Sequence, residues 1–131
     1  MIAVDSSAVF AILFSEPDAV RYAEAIADND DLVMAAPTLV ECHFVIYGRF
    51  LEKGRDVLDD FISSTGIEVI SFDRTLTEAA IDARVRYGRG SGHKAQLNFG
   101  DCFSYALART RNVPLLYKGE DFVHTDIEAA I

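Results

Sequence analysis

A chain of 131 residues, half of it hydrophobic with nine Phe and five Tyr, has the apolar material for one packed core and fits a single domain over residues 1–131. Its charged fraction of 25% argues against disorder, no apolar run reaches the ~18–20 residues of a membrane span, and Met1-Ile2-Ala3-Val4-Asp5 lacks the basic start of a signal peptide. The net charge of −9 speaks against phosphate contacts taken alone, but the run from Ala83 to Gly100 holds no acid and carries Arg84, Arg86, Arg89, His93 and Lys94. Cys42 and Cys102 form no spacing motif and read as buried thiols of a reducing compartment, the cytoplasm.

In chain order, residues 1–5 read as a short buried strand ending in an acid. Ser6 and Ser7 then offer N-cap chemistry to a helix over Ala8–Phe14. Glu16-Pro17-Asp18 opens a second helix, with Ala19, Tyr22, Ala23 and Ile26 on one face. Leu32–Ala35 is a second strand. Pro37 starts a third helix running to Leu51, Gly54 interrupts, and Val57, Leu58, Phe61 and Ile62 mark a fourth. Ile67–Ile70 makes a third strand, and Asp73 or Thr75 caps a helix ending near Tyr87. Gly88–Gly92 is a flexible loop, Phe99–Arg109 a helix with Asp101 near its start, and Val113–Tyr117 a fourth strand followed by a turn and an edge strand. Strands alternating with helices predict an α/β layered fold around a parallel sheet, whose ligands sit beyond the carboxyl ends of the strands.

Four acids fall at such places: Asp5, Glu41, Asp101 and Asp121. The first three lie within apolar surroundings, where a lone carboxylate is costly and needs a partner. A single acid at a helix start is more often a cap than a ligand. The set as a whole, with little basic compensation nearby, points to a hard divalent cation, Mg²⁺ or Mn²⁺, bound by oxygen. Helix N-termini near Asp5, Glu41 and Asp101 favour the ionised forms. Such a cluster suits phosphodiester hydrolysis by an activated water. No Ser–His–Asp, Cys–His, HExxH or phosphate-loop pattern competes.

Val4-Asp5-Ser6-Ser7-Ala8, Glu41 after Ala36-Pro37-Thr38, the segment Asn98 to Ala108, and Leu115 to Phe122 together resemble the PIN-domain family, and most of all its VapC toxin branch. The resemblance spans essentially the whole chain. It implies a three-layer α/β fold, with a central parallel sheet of four to five short strands flanked by helices. It also implies a Mg²⁺- or Mn²⁺-dependent endoribonuclease, the toxin of a toxin–antitoxin pair, that a VapB-like antitoxin neutralises. Asp5, Glu41 and Asp101 match the family's acids as catalytic and metal-binding residues. The fourth is Asp121 or Glu120, within Gly119-Glu120-Asp121-Phe122. Ser6 or Ser7 matches the small hydroxyl residue that follows the first acid and helps hold the metal shell, and both are expected among the substrate-binding residues.

Arg89, His93 and Lys94 form a basic loop that either contacts RNA or is simply solvated, and Arg84 and Arg86 have the same two readings. Phe10, Phe14, Phe44, Tyr47 and Phe50 are core or the surface of a homodimer. Two other functions remain open: a PIN-type RNA-processing nuclease without an antitoxin, and a non-enzymatic Mg²⁺-binding acidic pocket of the response-regulator kind. The latter would need a lysine after the last strand, for which Lys118 is the nearby candidate.

Overall fold

Apolar triplets and quartets between helices become four strands in the computed structural model, which describes all of residues 1–131. The order is β1 (Ile2–Val4), α1 (Ser6–Leu13), α2 (Ala19–Ala27), β2 (Leu32–Ala35), α3 (Ala36–Phe50), α4 (Lys53–Thr65), β3 (Glu68–Ile70), α5 (Arg74–Tyr87), α6 (Phe99–Arg111) and β4 (Leu115–Leu116). The strands lie in the order β3-β2-β1-β4, all parallel. Parallel neighbours need a crossover, and each strand-to-strand connection holds two helices.

Side chains alternate across a strand, so successive residues enter opposite layers. Ile2, Val4, Leu32, Met34 and Leu116 pack with α1 to α4, while Ala3, Val33, Ala35 and Leu115 pack with α5 and α6. Burial on both faces explains why β1 and β2 read as continuous apolar runs. The chain moves outward from β1 through β2 to β3, then returns to place β4 on the far side of β1. The sheet order therefore reverses at the carboxyl end of β1, where Asp5 stands, and such a switch point opens a crevice.

Several boundaries differ from the sequence reading. Asp5 itself caps α1, accepting from the Ser7 N–H at 3.0 Å, so Ser6 and Ser7 are the first two helical residues and not the cap. On α2 the buried residues are Tyr22, Ala25 and Ile26, and Ala23 is exposed. Gly54 lies inside α4, where a Cβ would come within 3.1 Å of Ile46 Cγ2, so its smallness admits the close approach of α3. Strand β3 is an edge, with Glu68 and Val69 exposed. β4 shrinks to two residues, and the C-terminal segment pairs with it: Leu115 N donates to Glu128 O and Ala130 N to Leu115 O, both at 2.9 Å. Gly88–Gly92 is closed at its base, where Leu97 N donates to Tyr87 O at 2.8 Å and Arg89 N to Leu97 O at 3.1 Å.

Asp73 caps α5, accepting from Leu76 N at 3.0 Å, and Thr75 is an exposed residue of the first turn. Asp73→Ala is expected to lower the unfolding free energy by about 1 kcal/mol, and Thr75→Ala to change it by less than about 0.5 kcal/mol. Urea titration of the two variants checks the assignment.

Candidate active site

Asp5 follows β1 directly, and both of its oxygens are engaged. Oδ2 accepts from the Ser7 N–H at 3.0 Å and the Ser7 hydroxyl at 2.6 Å, and Oδ1 accepts from the Ser104 hydroxyl of α6 at 2.6 Å. Ser6 sits about 100° around α1 from Ser7, so its hydroxyl points elsewhere. It donates to Glu41 Oε1 at 2.5 Å. The two adjacent serines thus serve two acids.

Glu41 is the sixth residue of α3. That places it in the second helical turn, beyond the reach of the helix N-terminus that the sequence reading invoked, since the dipole acts within the first turn. The Ser6 hydroxyl and the shape of α6 hold it instead. A Cβ on Gly100 would overlap the Glu41 carboxylate, so a glycine at this point of α6 makes room for the acid.

Asp101 is the third residue of α6 and half of a capping box. Its Oδ2 accepts from Asn98 N at 2.8 Å, while Asn98 Oδ1 accepts from Asp101 N at 2.9 Å. The Asp101 carboxyl is raised to about 7, by burial first, against the pull of the Asn98 N–H, and then by the like charges of Asp121, Asp5 and Glu41. Asp101 therefore feels an acid from the end of β1, one from α3 and one from the segment after β4. The Cys42 thiol is raised too, by burial first and then by Asp5 and Glu41.

Asp121 is the exposed member of the set. It is coupled to Asp101, whereas Glu120 acts on Tyr117, raising a phenol already raised by burial. No three His, Cys, Asp or Glu side chains stand close enough to make a ready metal shell. The acids are electrostatic neighbours whose free directions are partly taken by serine hydroxyls.

The remaining predicted residues divide. Arg89 and Lys94 are exposed, and His93 is partly buried, its ring edge-on to Tyr87 at 4.8 Å and its Nδ1 accepting from Ala95 N at 3.0 Å. Arg86 leaves the basic set: it lies 3.6 Å from Asp126 and donates to the Tyr87 hydroxyl at 2.9 Å. The Lys118 ammonium is committed to Asp18 at 2.7 Å and Glu16 at 3.2 Å, which removes the lysine that a response-regulator-like pocket requires. Cys42 and Cys102 are buried in opposite layers. Phe10, Phe14 and Phe50 are partly buried against the core, while Phe44 and Tyr47 are exposed.

Thr38, Asn98, Gly100 and Ser104 also belong to this site, although the sequence alone did not single them out. Asn98-x-x-Asp101 is a legible capping-box spacing. Thr38 stands three residues before Glu41 and Ser104 three after Asp101, spacings that put each hydroxyl on the face of its acid.

The packing of Gly100 on Glu41 can be isolated by a double-mutant cycle. Gly100→Ala is expected to cost about 1–3 kcal/mol in the wild type through overpacking, and much less in a Glu41→Ala background, where the helical preference for Ala asserts itself. Equal costs in both backgrounds, read by urea unfolding, would show that the contact does not constrain α6.

This arrangement has relatives. The PIN domain family matches residues 2–128. Ribonuclease VapC30 of Mycobacterium tuberculosis is 41% identical over 124 residues, spanning 95% of this chain and 94% of that relative. Ribonuclease VapC of Mycolicibacterium smegmatis is 43% identical over 126 residues, spanning 96% and 97%. Among solved structures, Mycobacterium tuberculosis VapC20, described as a sarcin-ricin loop cleaving toxin, superposes with a TM-score of 0.79 at 18% identity over 97% of this chain and 96% of that one. A toxin–antitoxin complex from Klebsiella pneumoniae does so with a TM-score of 0.73 at 16% identity, over 100% and 98%. The structures show the shared three-layer fold, and the sequence matches along nearly the whole length show that the chain belongs to the PIN-domain family, in its VapC ribonuclease branch.

Proposed function

We propose that this protein is the toxin of a VapB–VapC pair, a Mg²⁺- or Mn²⁺-dependent endoribonuclease formed by one PIN domain over residues 1–131. The observation that carries the reading is the place of Asp101, buried at the start of α6 beside the switch point of the sheet, with Asp121, Asp5 and Glu41 all near enough to act on its charge. The donor set fits a hard divalent cation: it offers only carboxylate and hydroxyl oxygen, and burial first and three like charges second raise Asp101. Asp5, Glu41, Asp101 and Asp121 would hold the ion, with Asp121 preferred to Glu120. When bound, it supplies an activated water and stabilises the leaving oxygen of a phosphodiester.

The chain's own contribution is positioning. Ser7 and Ser104 fix Asp5, Ser6 fixes Glu41, and the Asn98 N–H fixes Asp101 at the start of α6. Ser6 and Ser7 therefore act on substrate only through the acids they hold. Arg89 and Lys94, with His93 bracing their loop on Tyr87, carry the backbone of an RNA substrate toward the acids.

The partners follow from the surface. An acid pocket on a chain of net charge −9 suits an antitoxin that inserts a basic side chain, such as an Arg pairing bidentately with a carboxylate. Phe44 at 71% exposed and Phe99 at 83%, with Val40 at 54% and Val45 at 43%, form an apolar surface suited to a second copy in a homodimer. No helix is long and apolar enough to cross a membrane. Two free, buried cysteines fit the cytoplasm as the site of action.

Brief expression followed by mapping of RNA 5′ ends tests the activity. Asp5→Ala and Asp101→Asn are expected to lower the rate of new-end formation roughly 100-fold or more while the proteins remain folded. A folded Asp5→Ala variant that cuts like the wild type would overturn the reading. Arg89→Ala with Lys94→Ala is expected to raise KM and to flatten the log–log salt dependence by about 0.7 per lost phosphate contact, with kcat changed less. Loss confined to kcat would place the loop in the catalytic machinery instead.

A further inference from the structure

Two hydroxyls buried beneath the acids have no direct contact with the crevice. Thr38 is 1% exposed and Ser104 2%. Helix α3 presents Thr38 and Glu41 one turn apart, and α6 presents Asp101 and Ser104 in the same way, so the two hydroxyls meet where the helices face each other. Ser104 Oγ donates its hydrogen to Asp5 Oδ1 at 2.6 Å. A hydroxyl has one hydrogen. In its 3.3 Å contact with Thr38, Ser104 must therefore accept, and Thr38 donates. The order of donation is Thr38 to Ser104 to Asp5 Oδ1.

The other carboxylate oxygen ends a matching series. Lys118 N–H donates to Ser7 Oγ at 2.9 Å, and Ser7 Oγ donates to Asp5 Oδ2 at 2.6 Å. Oδ2 also accepts the Ser7 N–H. A carboxylate has about four acceptor positions, two on each oxygen. Oδ2 has used both of its positions and Oδ1 one, so the position left is on Oδ1, the atom that Ser104 holds. The terminal torsion of an aspartate is otherwise broad, and donors on one oxygen alone would leave the other poorly directed.

We propose that Ser104, backed by Thr38, is a positioning residue: this buried hydroxyl relay aims the single free acceptor position of Asp5, on Oδ1, at the divalent cation. The proposal rests on Asp5 being a metal ligand. Partners of this kind orient the ligands they touch, and losing one typically lowers metal affinity about 10- to 100-fold. An inter-helix pair that served packing alone would affect unfolding and leave metal affinity where it was.

Calorimetric titration of the purified protein with Mn²⁺ separates these cases, with urea unfolding run on every variant. Ser104→Ala is expected to weaken Mn²⁺ binding by about 10- to 100-fold. Thr38→Val, close to isosteric, is expected to weaken it by less, and Thr38→Ser to restore it. In the Ser104→Ala background Thr38→Val should cause no further loss, because Thr38 reaches Asp5 only through Ser104. Should Ser104→Ala fail to fold, the comparison of Thr38→Val with Thr38→Ser decides alone. Wild-type affinity in folded Ser104→Ala, or equal affinity in the two Thr38 variants, would overturn the relay. Asp5→Asn tells the two failures apart: if it abolishes Mn²⁺ binding while Ser104→Ala binds normally, only the relay falls, and if it binds normally, the metal-ligand reading of Asp5 falls as well.

Discussion

Bringing four carboxylates to one crevice costs free energy unless something opposes their charge, and most of the local structure at this site answers that cost. The sheet supplies no basic side chain there. Lys118, the nearest in sequence to the last strand, is turned to Glu16 and Asp18. The acids are held by hydroxyl and N–H donors and by the start of α6, and the repulsion that remains shows in Asp101, raised to about 7 by its burial and then by its acidic neighbours. A cation bound there, as proposed, would relieve the part of that cost owed to like charges.

The topology makes this crowding possible. Reversal of the sheet order at β1 opens a crevice beside Asp5, and the crossovers bring α3 and α6 to its edge. Small residues complete the geometry. Gly100 admits the Glu41 carboxylate, and Ser6 and Ser7 divide their hydroxyls between Glu41 and Asp5. Each is a place where a larger or less polar side chain would keep the same fold and lose the arrangement.

The layers were legible because their signals are local. Leu32–Ala35 and the Asp73 cap follow from apolar runs and capping chemistry, and the acids stood out because nothing nearby in sequence could neutralise them. The site's supports were not legible, because they are relations between distant segments. Ser104 lies 99 residues from Asp5, and Ser6 lies 35 from Glu41. Arg86 looked like part of a basic run until the C-terminal segment brought Asp126 beside it. Exposure of Phe44 against partial burial of Phe14 depends on which turns of α3 and α1 face each other, which periodicity alone leaves undetermined in segments apolar on several sides.

Folding keeps the Asp101 carboxyl buried among like charges, a cost that a bound cation would relieve, and the pH dependence of unfolding reads that cost. Burial, and then its acidic neighbours, raise the Asp101 carboxyl to about 7 in the folded protein, against an ordinary value of 3.8. Between those values the folded state binds more protons, so its stability should fall as pH rises, by at most about 1.4 kcal/mol per unit from this group. The measurement is the difference in unfolding free energy between wild type and Asp101→Asn from pH 4 to 8, without metal and then with saturating Mn²⁺. The wild type should lose stability relative to the variant as pH rises without metal, and regain it with Mn²⁺. A difference that stays flat, or that rises with pH in the absence of metal, would show that Asp101 is not held in this way.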